Sequence, residues 1–99
     1  MAFTRLDLED AEAQLVEDVT REDLFKLGLI CSTDVEDRGV DFVSAHKWFN
    51  LAAMLGSSPA KAYRDEIACE MEAPDVTRAQ REAREWLKTN RSQLIKEAA

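Results

Sequence analysis

Ninety-nine residues, 45% of them apolar and 33% charged, with three Gly and two Pro, describe one ordered, helix-rich domain and exclude a catalytic domain joined to a regulatory one. A net charge of −7 makes duplex nucleic acid and anionic membrane surfaces poor partners, because neutralising phosphates takes a concentrated basic surface. Met1 to Asp10 offers neither the cationic start nor the apolar run of a secretory signal, and no later run reaches the length of a membrane span, so a cytoplasmic protein is expected.

The chain reads as about five helices. Leu8, Ala11, Leu15 and Val19 recur at helical spacing over Leu6 to Asp18 and predict a first helix with one apolar stripe on an acidic surface. Residues 1–23 hold eight acids against Arg5 and Arg21, a net of −6. Thr20 followed by Asp23 is an acidic form of the capping box and marks a new helix start. The second helix places Leu24, Leu27, Gly28 and Cys31 on one face, with Gly28 admitting a close neighbour. Phe25 and Leu29 lie to one side of that face, so this helix needs covering twice.

Ser32 to Gly39 is polar and rich in turn formers, hence a loop. From Asp41 to Leu55 a third helix carries Phe42, Ala45, Trp48, Phe49, Ala52 and Ala53, small positions alternating with aromatic ones as close helix packing requires. Gly56 is its natural C-cap, and Ser58-Pro59 reads as an N-cap followed by Pro at the first position of the next helix. That fourth helix aligns Ala60, Tyr63, Ile67, Ala68 and Met71 and should stop near Glu72. Pro74 opens the last helix, with Val76, Ala79, Ala83, Trp86 and Leu87 on its apolar face. Residues 78–99 carry a net of +3, so the two ends of the chain have opposite sign.

The series Leu27-Gly28, Asp41, Ala45, Trp48, Ala52-Ala53, Gly56 and Ala60 resembles the Sel-one-like repeat (SLR), a relative of the tetratricopeptide repeat. Asp23, Cys31 and the loop "DVEDRGV" depart from that pattern, and a second Leu-Gly pair is missing at Arg64-Asp65. The resemblance covers about Leu24 to Leu87 and implies an all-α, right-handed stack of antiparallel helix hairpins. It divides a single domain 1–99 into an acidic capping helix 6–19, a repeat hairpin 20–56, a degenerate closing hairpin 58–90 and a tail 91–99. Such units need stacked neighbours or polar caps to bury both sides. The function it implies is recognition of another protein.

Few residues suggest chemistry. Cys31 and Cys69 read as reduced, buried small hydrophobes rather than a bridge or metal pair. His46 is the single histidine and lacks the second ligand of a metal site, so it reads as a surface or boundary residue; a Cys31-His46 nucleophile pair would lack an orienting third group. Trp48 and Trp86 read as core, Glu36-Asp37 as a solvated loop pair, and the isolated glycines offer no phosphate cradle. No enzymatic activity, cofactor, metal or small-molecule substrate is therefore expected. The reading is an adaptor whose contact positions are Phe25, Lys26, Leu29 and Ile30 on the second helix, with His46, Lys47 and Asn50 on the third. Its competitor is a homo-oligomer in which the basic last helix of one copy docks on the acidic first helix of another.

Overall fold

The computed structural model describes residues 19–33 and 39–90, and the regular elements among them are four helices: α1 (Arg21–Cys31), α2 (Phe42–Met54), α3 (Ser58–Ala68) and α4 (Ala73–Asn90). The expected helix over Leu6 to Asp18, the loop pair Glu36-Asp37 and the tail 91–99 lie outside the described residues. None of the described helices is long and apolar enough to cross a membrane.

Each boundary has a local chemical cause. Thr20 and Asp23 form the capping box at the start of α1: Asp23 N donates to Thr20 Oγ1 at 3.3 Å and Thr20 N donates to Asp23 Oδ2 at 3.0 Å, satisfying amides that the first turn leaves without helical acceptors. The Asp41 amide reaches back to Cys31 O at 3.0 Å and ties the loop exit to the end of α1. The Asp41 carboxylate then caps α2, accepting from Ser44 N at 3.0 Å and Ser44 Oγ at 2.7 Å. At the other end of α2, Gly56 N donates to Ala53 O and Ser57 N to Ala52 O, both at 3.0 Å. With Gly56 at φ +103°, these two bonds make the Schellman closure, and only glycine adopts that backbone without strain.

Two expected boundaries move. The N-cap of α3 is Ser57, whose hydroxyl accepts from Ala60 N at 3.2 Å, so Ser58 is the first helical residue and Pro59 the second. The Schellman closure of α2 fixes this register, because it uses the Ser57 amide and leaves the Ser57 hydroxyl facing the new helix. α3 ends at Ala68, four residues before the expected stop at Glu72. Its last amides shift to acceptors three residues back, Cys69 N to Glu66 O, Glu70 N to Ile67 O and Met71 N to Ala68 O, a tightening that closes a helix.

The architecture turns on α2, which packs extensively against α1, α3 and α4, while those three meet one another only weakly. Small residues make this possible: Ala45, Ala52, Ala60, Ala79 and Ala83 are all buried. A close contact joins α1 to α2, where the Phe49 ring occupies the space that a Cβ on Gly28 would need. On another side of α2, Trp48 meets Trp86 of α4 edge to face at 5.6 Å and 81°. Phe49, Leu24, Leu27, Ile30, Leu51 and Val19 form the fully buried centre. Cys31 is buried there as expected, but Cys69 is exposed, because α3 has already ended when the chain reaches it.

Candidate functional site

The seven expected contact positions do not share one surface. Ile30 is fully buried in the centre, which corrects its placement on a partner-facing side: it belongs to the same buried apolar cluster as Leu27 and Cys31. Leu29 is half-buried and packs against the same core. Lys26 is exposed. On α2, Asn50 Oδ1 accepts from Arg64 Nη1 at 2.9 Å, a tie to α3, and Lys47 Nζ stands 4.2 Å over the Trp48 ring, a cation–π contact.

His46 is corrected more sharply. It is 3% exposed rather than at the surface, and its Nδ1 has no hydrogen-bond partner. Burial first, and the nearby Arg64 guanidinium second, lower its pKa from the usual 6.5, with Asp65 pulling the other way. The imidazole is held neutral. Among the described residues no three His, Cys, Asp or Glu side chains gather as a metal site.

Phe25 is the expected position that opens onto a surface feature. Its ring lies 5.6 Å from Phe49 and 5.7 Å from Tyr63, while Phe49 and Tyr63 stack at 5.3 Å and 18°. The three rings bridge α1, α2 and α3, with Tyr63 43% exposed at the edge. Beside Phe25 lies a cleft of about 380 Å³ bordered by Arg21 and Glu22 from the first turn of α1 and by Gly56 to Pro59 where α2 hands over to α3. Arg21 Nη1 donates to Leu55 O at 3.4 Å and its Nε lies 3.6 Å from Glu22. One side chain thus ties the start of α1 to the end of α2 and forms the charged rim of the cleft. An apolar floor with a polar, charged rim is the form of a site that receives a side chain from another molecule.

Sequence spacing offered Phe25 as a candidate contact position but said nothing of its surroundings. The Schellman turn that brings Ser58 and Pro59 beside it depends on chain reversal, which periodicity does not encode. The available signal was the run Gly56-Ser57-Ser58 leading into Pro59. Comparison with known proteins finds no family model, curated sequence or solved structure that matches this chain.

Proposed function

We propose that this protein is a small, non-enzymatic interaction module, an adaptor or regulator of the kind its resemblance to Sel-one-like repeats implies, and that it holds a segment of another protein in the Phe25 cleft. The observation that carries this reading is the cleft itself, an apolar ring flanked by exposed Tyr63 and Pro59 and framed by Arg21 and Glu22. An apolar side chain of the partner would enter beside Phe25 as the anchor, and the Arg21–Glu22 rim would set register. Phe25 and Tyr63 are the binding residues; Lys26 is exposed on α1 but does not border the cleft. Asn50, Lys47 and His46 support the scaffold instead.

The test is affinity capture from the native host with the full chain, run beside Ser58→Glu. Ser58 is exposed at the first position of α3, so a carboxylate there suits the helix start while placing charge in the cleft. Unchanged circular dichroism with selective loss of one captured protein is the expected result. A captured set identical between wild type and variant would contradict the reading.

A further inference from the structure

We infer that a second cleft, at the opposite end of α2, receives a cationic segment of a partner protein anchored by an apolar side chain. The thirteen-residue α2 spans about 20 Å at 1.5 Å per residue, which separates this cleft from the one beside Phe25. It has a volume of about 450 Å³ and lies between the entry to α2 and the turn from α3 to α4. Val40, 47% exposed, and the half-buried Phe42 and Met71 supply its apolar surface.

Among the described residues that border this cleft the charges have one sign: Asp41, Glu70, Glu72 and Asp75, with no Lys or Arg. Local structure accounts for part of this: Asp41 caps α2, and Glu72 and Asp75 stand at the start of α4, where the helix dipole favours anions. Glu70 has no such role. It follows the end of α3, where the dipole opposes a negative charge. Among the described residues, the carboxylates of Glu70, Glu72 and Asp75 have no ion-pair or hydrogen-bond partner. Like charges collected around an apolar surface repel one another until an opposite charge arrives, so the complementary occupant carries Lys or Arg beside the side chain that covers Val40 and Met71.

The probe is a short synthetic peptide holding a leucine flanked by lysines, set against its glutamate-for-lysine counterpart, with binding to the full chain followed by fluorescence anisotropy at low and high salt. The lysine peptide is expected to bind, the glutamate peptide not, and Glu70→Gln with Glu72→Gln to weaken binding about fivefold, the scale of two exposed charge pairs. Val40→Ser, at an exposed loop position, weakens it as well. Glu66→Gln with Glu85→Gln removes the same charge at exposed positions that line neither cleft and controls for general attraction to an acidic protein. Equal losses from the two double variants, or full affinity in Val40→Ser, would overturn the inference. Loss of binding in Phe25→Ala would place the peptide in the other cleft and overturn it too. A wild-type dimer in sedimentation that the lysine peptide dissociates would make a second copy the occupant and overturn the assignment to a separate partner. Failure of the capture experiment with Ser58→Glu bears on the Phe25 cleft alone.

Discussion

At the scale of single residues, Gly28 and His46 carry opposite lessons. Gly28 was legible: a glycine on the core face of a helix, four residues after Leu24, announces a close neighbour. What sits there was not, since only the folded chain shows the Phe49 ring occupying the space of the missing Cβ. Gly28→Ala must displace a fully buried ring, at a cost of about 1–3 kcal/mol despite alanine's better helix propensity. Urea unfolding checks this, and Phe49→Leu in the same chain should recover part of the loss through non-additive coupling. His46 was misread because its neighbours in sequence, Lys47 and Asn50, are polar and half-exposed. A neutral, buried imidazole with a lowered pKa disfavours protonation in the folded state only. The unfolded chain binds that proton near pH 6.5, so stability is complete above this pH and declines as pH falls below it, by up to about 1.4 kcal/mol per pH unit. Unfolding measured from pH 8 to pH 5 should show this decline in the wild type and a flatter profile in His46→Leu; parallel profiles would refute a neutral buried His46.

At the scale of helices, the caps were the readable part. Thr20 with Asp23, and Gly56, are short-range chemistry, and the structure places each in its expected role; Asp41, expected as the first residue of its helix, is instead its N-cap. Ser57 displaced Ser58 as N-cap because the closure of α2 reaches one residue further than a glycine alone reveals, and α3 stops early for a reason held in successive backbone acceptors rather than in side-chain pattern. Gly56→Ala would force alanine to φ +103°, which costs on the order of 1–2 kcal/mol; a fall in Tm without loss of helical circular dichroism is the expected outcome. α4 rests on α2 largely through Trp86 against Trp48 and through Ala79 and Ala83. Trp86→Ala should therefore release this helix first, seen as faster amide exchange in α4 while α1 and α2 remain protected.

At the scale of the whole molecule, sequence periodicity gave the number and order of the described helices but not which one lies at the centre. Every amphipathic stripe in the chain is compatible with several partners. α2 becomes the hub because its buried residues extend over more than half of its circumference, from Leu51 and Trp48 through Ala52, Ala45 and Phe49 to His46. The charge asymmetry between the chain's ends also looks different in three dimensions. Arg78 pairs with Glu82 at 3.0 Å and Arg81 with Glu85 at 3.9 Å along α4, so half of its basic character is answered within the helix. Head-to-tail assembly through α4 loses much of its driving force, and sedimentation should give the same mass at low and high salt.

Site-specific photo-crosslinking in the native host measures the central claim most directly, with a photoreactive side chain placed at position 58 beside the Phe25 cleft and, separately, at exposed position 84 on α4. The account predicts one discrete adduct with another protein from position 58, absent from position 84 and lost when Phe25→Ala is added to the folded chain. No adduct at position 58, or the same adduct from both positions, would contradict it.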